Sequence, residues 1–310
     1  PGVKGAPNPW VSPLVRKMVA ENGLDISRIA GSGLDGRVTR QDVLDALTQR
    51  ENYVSASAAE TASATAVAPA GQAVPAVEVT SGKVLPLNPI RRQIAERMLQ
   101  SVHTAPHVLT VMEADLSRVL AHQQAQREVF SSQGIRLTLT AYFIEAIARA
   151  LRAHPLVNAS WAEEGILAHQ QVNVGMAVSL GEAGLIVPVI RSADELSLAG
   201  LARAVNDLAD RARSKRLTPD EVKGGTFTLT NHGTGGSLFA MPIINQPQVG
   251  ILGTGSLQKR AVVLTDAHGQ DSIAIKPMVY LSFVFDHRVL DGASADAFLA
   301  DVKKALEDHE

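Results

Sequence analysis

Apolar positions along the chain change rhythm twice and so divide it into three stretches. In the first, Ser12-Pro13 reads as an N-cap followed by proline at the first helical position. Leu14, Val15, Met18 and Val19 then recur at helical spacing, and Gly23 is placed to end that helix. A glycine-punctuated loop, Gly31 to Val38, leads to Thr39 and, three residues on, Asp42, the pattern of a capping box. Val43, Leu44 and Leu47 supply the apolar face of the second helix. Residues 51–83 have no period. From 84 onward periodic segments return: a helix opened by Asn88-Pro89, with Ile90, Ile94, Ala95 and Met98 on one face and Arg91, Arg92 and Arg97 on the others. A strand is predicted over 107–113, helices over 115–132 and 138–153, and strands over Val172–Leu180 and Leu185–Ile190, where Pro188 marks an edge or a bulge. A long amphipathic helix over 196–213 precedes an alternating strand, Thr226–Thr230. A nearly continuous apolar strand, Met278–Phe285, and a helix over 293–307 close the chain.

These elements predict a small all-α domain over residues 8–48, a linker over 51–83, and an α/β domain with a mixed sheet over 84–310. The linker is mostly Ala, Val, Ser, Thr, Pro and Glu, as in Ser55 to Pro75, so it buries too little apolar surface to offset its ordering entropy. Its prolines and alanines make it a semi-extended tether.

Composition narrows the function by exclusion. Lys and Arg number 29 against 31 Asp and Glu, which gives no electrostatic reason to expect nucleic acid or a membrane surface as partner. No apolar run approaches the roughly 18 residues that span a bilayer, and no signal peptide is visible. With no cysteine, a thiol nucleophile, a thiolate metal site and a disulfide framework are all excluded. A cytoplasmic, bacterial location is expected, and no metal. Any sulfur chemistry belongs to the substrates.

The chemistry concentrates near the C-terminus. Asp286-His287-Arg288-Val289-Leu290-Asp291-Gly292 directly follows the apolar strand, so a histidine sits where a rigid element ends and its ring can face a cleft. This Asp-His-Arg-x-x-Asp-Gly string resembles the active-site signature of the dihydrolipoyl acyltransferase core subunits of 2-oxo acid dehydrogenase complexes. It is similar, more distantly, to the His-x-x-x-Asp-Gly pattern of chloramphenicol acetyltransferase. Ile90 to Met98, His154 to Trp161, Gly184 to Pro188, Gly224 to Thr230 and Pro242 to Pro247 look like the same family in its order. The resemblance implies a chloramphenicol acetyltransferase-like fold and transfer of an acyl group from S-acyl-dihydrolipoyl to coenzyme A. It implies His287 as general base and Thr230 as the hydroxyl that steadies the oxyanion. Asp291 would support the site by pairing with an arginine, for which Arg91, Arg92 and Arg97 all stay open. His232 is a possible second titrating group. The family's active site lies between subunits of a homotrimer, and its trimers build 24-mer or 60-mer cores.

The first stretch resembles the family's peripheral subunit-binding domain, in Ser12 to Lys17 and Gly31 to Val43. That resemblance implies dehydrogenase/decarboxylase and dihydrolipoyl dehydrogenase partners, held through Arg16, Lys17, Arg37 and Arg40, whose planar or flexible cations suit carboxylates. The lipoyl domain expected of the family does not precede residue 8; with a start at Pro1, truncation is the expectation, delivery of acyl groups by a lipoyl domain on another protein the alternative. Asp291 and Ala105-Pro106-His107 lean the acyl group toward branched-chain or succinyl, with acetyl the alternative. A noncatalytic core scaffold and a stand-alone acetyltransferase are the rival functions. The intact string opposes the first, and the binding domain and tether oppose the second.

Overall fold

The structure, a computed structural model, describes residues 12–22, 29, 31–33, 37–46, 85–87, 89–181 and 184–309. The expected linker over 51–83 lies outside the described residues. The chain divides into two compact units, Pro1–Lys83 and Val84–Glu310.

In the first unit, α1 (Pro13–Glu21) starts where the Ser12 hydroxyl accepts the Val15 N–H at 3.3 Å. A second helix, α2 (40–46), carries the expected capping box. The Asp42 carboxylate accepts the Thr39 N–H at 2.7 Å and the Ser32 N–H at 3.0 Å, while the Thr39 hydroxyl accepts the Asp42 N–H at 3.4 Å. Those bonds, with the Ser32 side chain the largest contributor, hold Asp42 well below the usual carboxylate range. Val15, Val19 and Val43 form the core, with Met18, Ile29 and Val38 against it. Leu44, expected inside, is exposed, and Leu47 lies outside the described residues. Two short helices offer one narrow seam, and Val43 fills it.

The second unit is built on a mixed sheet. Its elements are α3 (Pro89–Thr104), β1 (His107–Asp115), α4 (Ser117–Ser132), α5 (Leu139–Ala153), β2 (Ala159–Ala162), β3 (Gly165–Ala168), β4 (Val174–Met176), β5 (Val178–Ser179), β6 (Leu185–Ile186), β7 (Val189–Ile190), α6 (Leu198–Arg213), β8 (Phe227–Asn231), β9 (Gly250–Thr254), β10 (Gln258–Thr265), β11 (Asp271–Asp286) and α7 (Gly292–Glu307). The main sheet runs β1-β11-β9-β8-β4-β7, with β10 on the first half of β11. Only β4–β8 and β8–β9 are parallel among its described pairs. Pro188 falls between β6 and β7, and β7 is the sheet's edge, where a residue without an N–H is tolerated. The single strand expected over Val172–Leu180 breaks into β4 and β5, which pair with different partners.

One face of the sheet carries Leu229, Leu252, Leu281, Phe283 and Phe285, buried under Ile144 and Ile147 of α5, Leu201 of α6, and Phe298 and Leu299 of α7. Phe283 and Phe298 meet with ring centroids 4.8 Å apart. The other face holds a smaller cluster, Ala105, Ile244, Ile251 and Val284. α3 departs from expectation. Of its expected apolar face, Ile94 and Ala95 stay exposed in the single chain and Met98 is half-buried, and Leu99 (61 %) and Val102 (52 %) are exposed beside them.

Candidate active site

β11 ends in a buried carboxylate. Asp286 is 1 % exposed, and its N–H donates to the Val249 carbonyl at 2.8 Å. A buried carboxylate needs a cation and donors. Arg288, two residues on, supplies both: Nε donates to Oδ1 at 3.0 Å, Nη2 to Oδ2 at 2.6 Å, and its backbone N–H to Oδ1 at 3.0 Å. The guanidinium also lies 4.8 Å from the Trp161 ring centroid on β2. The turn between Asp286 and Arg288 is thereby fixed from both sides. His287, whose side chain is exposed, projects from it, and its N–H is held by the Pro106 carbonyl at 2.9 Å.

Asp291 has a duty of its own at the start of α7. It is the N-cap of α7, its carboxylate accepting the Ser294 N–H at 2.8 Å. That bond holds Asp291 below the usual carboxylate range, with a smaller contribution from His287. The reason is position: Asp291 precedes a helix whose first N–H groups need acceptors, whereas Asp286 is the carboxylate left in the sheet. The Asp–Arg pair of the string is therefore Asp286–Arg288. Sequence reasoning passed over it, although an acidic residue ending an apolar strand two positions before an arginine was a usable signal.

A second histidine stands in register with Asp286: His107 of β1. Its Nε2 accepts the Ile244 N–H at 3.0 Å and its Nδ1 lies 2.7 Å from the Ala105 carbonyl, so the proton sits on Nδ1. With both nitrogens engaged, His107 braces the Ala105–His107 segment and leaves His287 as the histidine free to meet a ligand there.

Thr230 lies on β8, half-buried, on the sheet face opposite Leu229. It is far from His287 of its own chain. Register pairs Phe285 with Gly250, which brings His287 level with Gln248, whereas Thr230 pairs with Gly253. Five residues at about 3.3 Å, and two strand spacings at about 4.8 Å, put the two positions roughly 19 Å apart. Beyond Thr230, Asn231 accepts the Gly233 N–H at 3.0 Å, and the chain turns back over β9. Gly255 has no room for a Cβ there, because the Leu238 carbonyl occupies it. His232, in this turn, has both ring nitrogens buried without a hydrogen-bond partner, and burial lowers its pKa.

In the first unit, Arg16, Lys17, Arg37 and Arg40 are all exposed. Among the described residues, no group of three or more His, Cys, Asp or Glu could hold a metal, and no helix is long and apolar enough to cross a membrane.

Comparison with known proteins fits this arrangement. The family model described as 2-oxoacid dehydrogenases acyltransferase (catalytic domain) matches residues 80–310, and the e3 binding domain model matches residues 9–44. The chain is 38 % identical over 302 residues to the dihydrolipoyllysine-residue acetyltransferase component of the pyruvate dehydrogenase complex of Corynebacterium glutamicum, covering 96 % of this chain and 44 % of that protein. It is 35 % identical to the lipoamide acyltransferase component of the branched-chain alpha-keto acid dehydrogenase complex of Bacillus subtilis, covering 96 % and 70 %. It is 36 % identical to the dihydrolipoyllysine-residue succinyltransferase component of the 2-oxoglutarate dehydrogenase complex of Escherichia coli, covering 97 % and 71 %. It spans about half the length of the first relatives it matches. Among solved structures, the cubic core of the pyruvate dehydrogenase multienzyme complex superposes with a TM-score of 0.71 at 32 % identity, covering 77 % of this chain and 97 % of that one. The dihydrolipoamide acetyltransferase of Azotobacter vinelandii, studied for the role of a serine, a histidine and an asparagine in its catalytic mechanism, superposes at 0.69 with 32 % identity, covering 74 % and 92 %. The chain belongs to the 2-oxoacid dehydrogenase acyltransferase family.

Proposed function

We propose that this chain transfers an acyl group from S-acyl-dihydrolipoyl to coenzyme A, with His287 as general base and Thr230 as oxyanion donor. A free thiol near pKa 8.5 is mostly protonated at neutral pH. His287 takes the proton of the coenzyme A thiol, and the thiolate attacks the thioester carbon. The Thr230 hydroxyl donates to the developing oxyanion, a contribution of about 3–4 kcal/mol if like other such donors. Collapse expels the dihydrolipoyl sulfur, which takes the proton back from His287. Asp291 acts on the backbone, setting the start of α7 beside the string. The observation that carries this reading is the fixing of His287 at the end of β11, between a buried Asp286–Arg288 pair and the α7 cap.

The roughly 19 Å within one chain supports a site shared by two copies. One acyl carbon cannot touch both groups at that span, so His287 of one subunit would face Thr230 of the next. Open apolar residues on α3 favour such packing, and cyclic symmetry repeats the same contact around a trimer. The 24-mer, the 60-mer and the lone trimer are distinguished by mass photometry.

The two sequence hints about acyl identity have structural duties: Asp291 caps α7 and His107 braces β1. Branched-chain, succinyl and acetyl donors therefore stand on equal terms, and a side-by-side assay of all three assigns the substrate. For the N-terminal unit we read Arg16, Lys17, Arg37 and Arg40 as the cationic contacts to dehydrogenase partners, which added salt and charge reversal would weaken.

The test is acyl transfer from acyl-dihydrolipoamide to coenzyme A by wild type, His287→Ala and Thr230→Ala. When the two variants are dissociated, mixed equally and reassembled, roughly a quarter of sites regain one intact His287 and one intact Thr230 if neighbouring copies share the site. No recovery on mixing would restrict catalysis to a single chain.

A further inference from the structure

The far end of the sheet holds polar atoms that the acyl-transfer reading leaves unused. The Ser282 hydroxyl and both nitrogens of His232 are buried without a hydrogen-bond partner. Buried polar groups in native proteins almost always find partners, so several such atoms in one place call for an explanation. Register shows that they share one place. Gly253 of β9 pairs with Thr230 of β8 on one side and with Ser282 of β11 on the other. Cross-strand partners present their side chains to the same face, here the face of Ile251 and Val284. Thr230, Gly253 and Ser282 therefore form one row across three strands.

The middle of that row is a notch, because glycine has no side chain. The His232 ring fills it. A Cβ on Gly253 would meet His232 Nε2 at 3.0 Å and Cδ2 at 3.2 Å. The imidazole thus lies over Gly253, with a hydroxyl-bearing residue on each side at neighbouring-strand spacing, about 5 Å. Its backbone is held at that height, since the His232 N–H donates to the Thr254 carbonyl at 3.2 Å.

We propose that His232 is a positioning residue for Thr230, oriented in turn by Ser282, in the chain Ser282 O–H to one imidazole nitrogen, and the opposite N–H to the Thr230 oxygen. Small rotations of the three side chains close it. The Ser282 donor selects the tautomer, so that the remaining ring proton points to Thr230. With its oxygen already accepting, the Thr230 hydroxyl is aimed outward and polarised as a donor toward an oxyanion. No proton is transferred along the chain; it only orders and strengthens one hydrogen bond. Burial also favours the uncharged imidazole, which alone has both a donor and an acceptor nitrogen.

The inference rests on Thr230 being the oxyanion donor, and the test separates the two. First, unfolding midpoints need no activity. Removing a buried hydroxyl that has no partner raises the midpoint, whereas removing a bonded one lowers it. Ser282→Ala is expected to lower the midpoint in wild type and to have no such effect in a His232→Phe background. Thr230→Ala, run through the same cycle with His232→Phe, is expected to be coupled too. A midpoint raised by Ser282→Ala, or effects of the Thr230 pair that simply add, would overturn the proposal even in a protein without turnover. Second, in acyl transfer to coenzyme A, His232→Phe is expected to lower kcat about tenfold with KM for coenzyme A little changed, the loss of one oriented hydrogen bond. His232→Gln should recover part of it. In the Thr230→Ala background His232→Phe should cost less than about twofold, since no hydroxyl remains to be aimed. Equal losses in both backgrounds would mean that His232 only fills space. Absence of wild-type transfer would remove the acyl-transfer reading alone and leave the midpoint cycles to decide the contact.

Discussion

The two ends of the main sheet are finished to different degrees. At the His287 end, several buried polar groups are matched within the chain. Asp286 has Arg288, and Gln248 accepts the Thr228 hydroxyl at 2.6 Å while donating to the Gly225 carbonyl at 2.9 Å. Ser101 donates to the Ile244 carbonyl at 2.6 Å. At the Thr230 end, Ser282 and His232 lack partners, and the residues around them, Leu238, Phe239 and Met241, are exposed. One end holds His287 rigidly on a complete scaffold. The other presents a hydroxyl and open apolar side chains, as a surface that is completed by something else does. On the proposed reading, the base and the oxyanion donor stand at opposite ends of one sheet as two half-sites.

Five experiments probe that contrast. The largest effect is expected of His287→Ala: kcat for acyl transfer falls about 10²–10⁴-fold while the circular dichroism spectrum and oligomeric mass stay as in wild type. Retained turnover would mean that the finished end carries no base. Next, Arg288→Met leaves Asp286 buried beside an apolar side chain, and urea unfolding should register a loss of about 3–5 kcal/mol. Thr230→Ala, at the open end, should lower kcat about 10²–10³-fold with a smaller loss in the urea midpoint than Arg288→Met causes. Gly253→Ala pushes a methyl into the His232 ring; calorimetry should show a destabilisation of about 1–3 kcal/mol, together with a lower kcat. The smallest change is Asp291→Ala, which removes the α7 cap. Asp291 titrates below its unfolded value, so its stabilisation is complete above the ordinary aspartate pKa of about 3.9 and fades as pH falls through the lowered value. The midpoint difference between wild type and Asp291→Ala should therefore be full at neutral pH and shrink in acid, and a difference constant across that window would deny Asp291 its capping bond.

Much of the fold was legible because its signals are local. α5, α6 and α7 follow from apolar spacing over fifteen or sixteen residues, and the Thr39–Asp42 capping box follows from two side chains three positions apart. All of β10 and the first half of β11 were missed. The apolar positions there, Val263, Ile273 and Ile275, are exposed, so they mark no buried face. β9 was missed because five buried residues beginning with glycine, Gly250–Thr254, carry no period at all. The apolar face read on α3 is real in sequence and uncovered in the chain, since a pattern states that a face is apolar and not what covers it. At the site, His287 was legible through its string. The partner of Asp286, the bracing of His107 and the row beneath His232 depend on contacts between strands distant in the chain.

Amino-acid order alone carries the alternation of helices and strands, the small capped unit ahead of the large one, the absence of thiol chemistry, and the string that makes His287 a candidate base. Each is a property of neighbouring residues or of composition, which spacing and side-chain chemistry express directly. The folded chain adds that Asp286 takes the arginine while Asp291 takes the helix, that His107 is engaged on both nitrogens, and that His287 and Thr230 stand roughly 19 Å apart in one chain. Those outcomes turn on strand order and register, which are set by the packing of the whole sheet.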